Sequence, residues 1–181
     1  MTAPSGLWSR WRVRTGYPVA LVCFWLAWPT PRTLAAGAGI AALGLVLRAA
    51  AAGHLRKHEQ LSTSGAYAYT RNPLYLGSAL LAAGFAVAGR SWIVAAILAA
   101  YFALFYPVVM RREEHELRAA YGAAFDAYAA CVPLFLPRPT PGVTSALRFS
   151  WPVYRRNREY QALVGFLAGV VLLCLRMYAR P

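Results

Sequence analysis

Residues 65–77 read G-A-Y-A-Y-T-R-N-P-L-Y-L-G, and Glu113-Glu114 follow about one membrane span later. Arg71 and Asn72 stand immediately before Pro73, a residue suited to the first turn of a helix, and an apolar run begins directly afterwards. A helix start offers unpaired backbone N–H groups and the positive end of a dipole to an anion or a polar head group. The same residues also read as a capped membrane helix with an arginine anchored at the interface. Tyr67, Tyr69 and Tyr75 divide in the same way, between interfacial belt residues and walls around a flat ligand.

Glu113 and Glu114 can accept hydrogen bonds from an amine or a hydroxyl, or simply suit the dipole of a helix that starts there. Arg111 and Arg112 beside them read as interfacial anchors or as attractors of a substrate carboxylate. Arg48 lies inside an apolar run with no charged neighbour close in sequence. Such a charge is costly unless it faces a polar interior or snorkels to the surface. His54, His58 and His115 lack metal-ligand spacing, so no metal site is expected. Cys23, Cys131 and Cys174 are odd in number and widely spaced, which suits packing rather than a disulfide framework.

The elements that must carry these groups are membrane helices. Of 181 residues 59% are hydrophobic, mean hydropathy is +0.42, and several windows approach the roughly 20 apolar residues that span a bilayer. The chain is expected to be all-α and polytopic, a single domain of five helices near Tyr17–Trp28, Leu34–Gly53, Pro73–Ala88, Trp92–Met110 and Tyr160–Met177. Pro29 and Pro31 close one hairpin and Gly89-Arg90-Ser91 another. Gly and Ala recur in the second and third helices, where small residues let backbones approach. Arg111–Tyr128 carries one apolar stripe and reads as an amphipathic helix. The proline-rich loop over Cys131–Thr144 is expected to fold back as a lid or wall.

Nineteen basic residues face six acidic ones, a formal charge of +13. The basic residues fall between apolar runs rather than along a polar ribbon, which argues against nucleic acid. Placing the amino terminus in the cytoplasm puts all six acids and most arginines there, leaving Arg32, Arg90, Arg176 and Arg180 opposite, as the positive-inside rule requires. No secretory cleavage site follows Arg10, Arg12 and Arg14, so the first apolar run is expected to be retained. The basic run Arg155 to Arg158 reads as a membrane-surface anchor.

Three blocks in order, T-S-G-A-Y-A-Y-T-R-N-P-L-Y-L-G, E-E-H-E-L-R-A-A-Y-G-A-A-F-D-A-Y and V-P-L-F-L-P, together resemble the isoprenylcysteine carboxyl methyltransferase and phospholipid methyltransferase superfamily over about residues 59–137. The resemblance implies an integral-membrane enzyme that takes S-adenosylmethionine from the cytosol and methylates a lipophilic acceptor from the bilayer. It implies a cofactor pocket of Glu59, Gln60, Leu61 and Ser62, then Tyr67, then Asn72, Pro73, Leu74 and Tyr75, completed by Glu113. Tyr128, Val132 and Leu134 would add walls. Two departures stand out. Asn72 replaces a common histidine, and Val109 stands where the carboxyl methyltransferases carry a substrate-binding arginine.

The expected reaction is carboxyl O-methylation of an isoprenylcysteine-like substrate, with Arg112, Arg111 and Arg48 as candidates to position it. The alternative is N-methylation of a phospholipid amine head group. A non-catalytic scaffold or small transporter would be a different class, and it would have no use for Asn72, Tyr75 and Glu113 on one pocket.

Overall fold

Apolar runs separated by proline, glycine and short polar segments fold into helices wherever the backbone can satisfy itself internally, as lipid demands. The computed structural model describes residues 7–57, 59–143 and 147–179, together with the backbone alone at 7–10, 12 and 13. His58, Thr144, Arg180 and the side chains of Arg10 and Arg12 lie outside what is described. Among the described residues the chain is all helical: α1 (Leu7–Leu26), α2 (Pro31–His54), a 3-10 turn (Gly65–Ala68), α3 (Pro73–Gly89), α4 (Trp92–Tyr121), α5 (Ala123–Cys131), α6 (Trp151–Arg156) and α7 (Tyr160–Ala179). Three of them, α2, α4 and α7, are long and apolar enough to cross a membrane, and α3 is a shorter apolar helix.

Local sequence explains the boundaries. Thr30 caps α2 reciprocally with Thr33 while Pro31 occupies the first turn. Ser91 accepts from the Val94 amide at the start of α4. The expected break at Met110 is absent, and α4 continues to Tyr121. The change from apolar to charged composition marks the end of the membrane window, not of the helix. Good helix formers continue through it, with Arg112 paired to Glu116 one turn on at 3.0 Å. Gly122, at φ +51, makes the break instead. The expected amphipathic helix is therefore the end of α4 plus a separate α5. α1 also begins ten residues before the expected start, and the short α6 was not expected.

α2 and α3 form the tightest pair. A Cβ added at Gly44 would stand 2.6 Å from the Gly77 carbonyl, and one at Gly84 would stand 2.5 Å from the Gly37 carbonyl. These glycines lie in register on facing helices, as expected where packing rather than water drives association. α1 lies along α4, and α7 covers α2 and the edge of α3.

The two ends of the bundle are tied differently. At one end, Trp28 N–H donates to Gly89 O at 2.7 Å. There the buried Arg176 of α7 donates to the carbonyls of Ala27 and Trp25 and covers the rings of Phe24 and Trp25. It closes the last turn of α1. At the other end, Asn157 does the same for α2, donating to Ala52 O at 2.9 Å and Leu55 O at 2.8 Å. That second end gathers the polar residues.

Candidate functional site

The segment before α3 is held by the proline-rich loop, which folds back along it as a wall. Gly142 N–H donates to Ala68 O at 2.7 Å, Arg138 N–H to Tyr69 O at 3.1 Å, and Arg71 N–H to Pro133 O at 2.9 Å. The buried Thr70 hydroxyl donates to Phe135 O at 2.9 Å. Asn72 donates its side-chain amide to Leu134 O at 3.0 Å. Asn72 thus anchors the wall instead of capping α3, whose first turn keeps its dipole uncapped by any side chain.

Arg71 is fully engaged in structure. Its guanidinium donates to Glu114 at 2.5 Å and to the carbonyls of Ala129 and Val132, both at 2.7 Å. These carbonyls end α5 and lack helical partners. One side chain therefore joins the α3 entrance, α4 and α5, and this assigns Arg71 and Glu114 to architecture.

Glu113 points the other way. The Tyr75 hydroxyl, in the first turn of α3, donates to its carboxylate at 2.5 Å. The Tyr75 ring meets Tyr106 edge-on at 5.4 Å, and Tyr106 stacks on Phe102 at 3.9 Å. Phe135 of the wall lies 5.9 Å from Phe102. An acid, a phenol and several aromatic faces thus share one side of the α3–α4 pair.

Tyr67 sits beneath, buried in the 3-10 turn, its carbonyl accepting from the Tyr128 hydroxyl at 2.8 Å. Burial pushes its phenol pKa well up, and the fields of Tyr128, Glu113, Glu159 and Tyr75 push it further. The phenol therefore shares its surroundings with two carboxylates. Burial likewise raises Tyr128, with Arg71 opposing and Glu114 adding. Ser64, immediately before the turn, has a buried hydroxyl with no partner among the described residues.

Other expected site residues are placed unevenly. Pro73 is buried at the first position of α3. Leu61 packs on the Phe125, Tyr128 and Val132 cluster, and Ser62 accepts from the Arg56 amide at 3.1 Å. Gln60 is half-buried, and Glu59 is exposed and paired with Arg156 at 2.7 Å. Arg111 and Arg112 are exposed on α4 and Val109 is buried. Arg48 pairs with Glu159 and donates to Leu74 O at 3.1 Å and to the Ser78 hydroxyl at 2.5 Å. The contacts join Tyr75 to Glu113 and to the Asn72 carbonyl at the α3 entrance, and Glu113 is exposed there, as are Glu59, Arg111 and Arg112.

Sequence reasoning missed Glu159, Ser78, Tyr106 and Phe102 as parts of this region. The signal for Glu159 was Arg48 itself, since an intramembrane cation needs a partner. The partner lies 111 residues away in sequence. Tyr106 and Phe102 read only as apolar helix.

The chain matches the phospholipid methyltransferase family over residues 33–124, half of its length. It is 42% identical over 83 residues to the nickel-cobalt-cadmium resistance protein NccN of Alcaligenes xylosoxydans xylosoxydans, covering 46% of this chain and 38% of that protein. It is 36% identical over 135 residues to the cobalt-zinc-cadmium resistance protein CzcN of Cupriavidus metallidurans, covering 71% of this chain and 62% of that one. The match thus spans less than two thirds of either relative. No solved structure matches. The matched segment runs from the start of α2 to the glycine break after α4 and contains Tyr67, Asn72, Tyr75 and Glu113, so the chain belongs to the phospholipid methyltransferase family.

Proposed function

We propose that the chain is an integral-membrane methyltransferase that uses S-adenosylmethionine and acts on a lipophilic acceptor at the cytoplasmic face. The carrying observation is the Tyr75–Glu113 contact at 2.5 Å, which unites the α3 entrance with the acid of α4 inside the family segment. The orientation rests on the distribution of Arg and Lys, which crowd the polar end. In this reading α1 and α3 also cross the bilayer, making five crossings.

The donor set fits the cofactor. A zwitterionic methionine moiety calls for an acid for its ammonium and helix-start donors for its carboxylate, and adenine calls for aromatic walls. Glu113 supplies the acid, the positive end of α3, uncapped by any side chain, the attraction for the carboxylate, and Tyr106 and Phe102 with Tyr75 the ring faces. The buried Ser64 hydroxyl, unpartnered among the described residues, adds a polar group at the start of the 3-10 turn that carries Tyr67. Glu59, Gln60, Leu61 and Ser62 line the approach. When bound, S-adenosylmethionine supplies a sulfonium methyl for in-line displacement by the acceptor. The chain's residues contribute alignment and exclusion of water. Tyr75 holds the Glu113 carboxylate in place, and the wall from Val132 to Phe135 covers the side.

For the acceptor, carboxyl O-methylation of an isoprenylcysteine-like group would need a cation to hold an already ionised carboxylate. Arg111 or Arg112 would serve. A specific observation favours the alternative, N-methylation of a phospholipid amine. Val109 is buried and apolar, and Arg48, Arg71 and Arg112 each already bond a carboxylate. An amine must also lose a proton around the transfer. The relatives' metal-resistance names would come to this chain only through the lipid it modifies. Among the described residues no three His, Cys, Asp or Glu side chains group to hold an ion.

The test offers the purified protein in lipid nanodiscs methyl-labelled S-adenosylmethionine with a prenylcysteine analogue or with phosphatidylethanolamine. Base-labile label identifies an ester and base-stable label an amine. No label on either acceptor would remove both readings of the acceptor.

A further inference from the structure

We propose, resting on the methyltransferase reading, that Glu159 at the start of α7 is a positioning residue of the donor site. It holds Arg48 against α3, so that the first turn of α3 presents Tyr75 to Glu113. Glu159 lies beyond the family-matched residues 33–124, so α7 becomes a working part of the site rather than a trailing anchor.

The geometry carries the argument. Arg48 projects from α2 and is met by Glu159, with side chains only 21% and 10% exposed. A charge pair so withdrawn from water is weakly screened, and each partner depends on the other. The same guanidinium donates to the Leu74 carbonyl at 3.1 Å and the Ser78 hydroxyl at 2.5 Å. Ser78 in turn donates to the Leu74 carbonyl at 3.0 Å. Leu74 and Ser78 are one turn apart on one face of α3, and Tyr75 occupies the adjacent face, toward Glu113. Arg48 therefore grips the turn that carries Tyr75, and Gly77 in the same turn admits the arginine stem, since a Cβ there would stand 2.5 Å from Arg48 Cγ. The buried Tyr67 phenol feels both Glu113 and Glu159, an independent sign that the two acids flank one region.

A staple that only stabilises the bundle would produce none of the local effects this predicts. The experiment uses the full chain in nanodiscs and compares Glu159→Gln, Ser78→Ala and the charge-swapped double variant Arg48→Glu/Glu159→Arg with Arg176→Gln. Arg176 closes α1 at the opposite end of the bundle. Two readouts are taken, calorimetric affinity for S-adenosylhomocysteine and amide exchange. Loss of a charge-assisted contact is expected to weaken affinity about ten-fold in Glu159→Gln and less in Ser78→Ala, with no recovery in the double variant, whose carboxylate on α2 cannot donate to the Leu74 carbonyl. Exchange should rise at the Tyr75 and Leu76 amides, which bond Asn72 O at 3.1 and 3.0 Å. Arg176→Gln should lower the melting temperature and leave both readouts unchanged. Wild-type affinity with unchanged exchange in Glu159→Gln would overturn the proposal. A wild type that binds no S-adenosylhomocysteine would instead overturn the methyltransferase reading on which it rests.

Discussion

Arg71 gives the sharpest test of how the site is built, because one side chain meets three acceptors on two other elements. Arg71→Met would leave Glu114, only 16% exposed, without its partner and would remove the donors from Ala129 O and Val132 O. Breaking one side of a buried ion pair costs about 3–5 kcal/mol. Each orphaned carbonyl carries about 1–3 kcal/mol if it stays dry, so the ion-pair and carbonyl shares are comparable. Adding Glu114→Gln removes the unpaired charge and should restore roughly half the loss, leaving the carbonyl share. Arg71→Lys should recover less than half, because one ammonium nitrogen cannot occupy both positions from which Nε and Nη1 of the guanidinium donate. Reversible unfolding in mixed micelles, with the wild type and the three variants in one series, measures this directly. A melting curve for Arg71→Lys that overlays the wild type, or a double variant no better than Arg71→Met, would refute the assignment of Arg71 to architecture.

Other consequences are simpler. Gly44→Ala would force a Cβ to 2.6 Å from the Gly77 carbonyl and should cost about 1–3 kcal/mol by overpacking, whereas Gly39→Ala, with open space around it, should be neutral or stabilising in the same unfolding assay. Gly122→Ala meets no atom within 4 Å, but its φ of +51 with ψ of −127 disfavours any side chain, so a loss of about 1–3 kcal/mol is expected from the backbone alone. Tyr67 and Tyr128 have folded-state pKa values raised by burial. Their stabilisation is therefore complete below about pH 10 and is lost as pH rises above it. Melting temperatures from pH 9 to 11.5 should fall, and fall less in Tyr67→Phe. Tyr75→Phe keeps the ring against Tyr106 and removes only the hydroxyl bonded to Glu113, so affinity for S-adenosylhomocysteine should drop about five- to ten-fold with little change in melting.

The apolar runs, the small residues between α2 and α3, and the polar block around Pro73 were legible because each rests on local composition. Gly44, Gly77 and Gly84 were readable as packing residues, and the structure puts them at backbone contacts. The length of α4 was not legible, because Arg111 looks like a boundary when only hydropathy is read, whereas helix propensity continues to Gly122. The division of labour between Arg71 and Glu114 on one side and Tyr75 and Glu113 on the other was not legible either. Adjacent carboxylates on a helix point about 100° apart, and only the packing of α5 and the wall decides which faces the arginine. Glu159 escaped because nothing local to it indicates a partner on α2.

The most direct measurement of the central claim is calorimetric titration of the purified protein with S-adenosylhomocysteine, for the wild type and for Glu113→Gln. Saturable binding by the wild type at one site per chain, weakened at least ten-fold by the substitution, is the predicted result. No binding by the wild type, or equal binding by both, would contradict the assignment of the Tyr75–Glu113 side of α3 and α4 as the donor site.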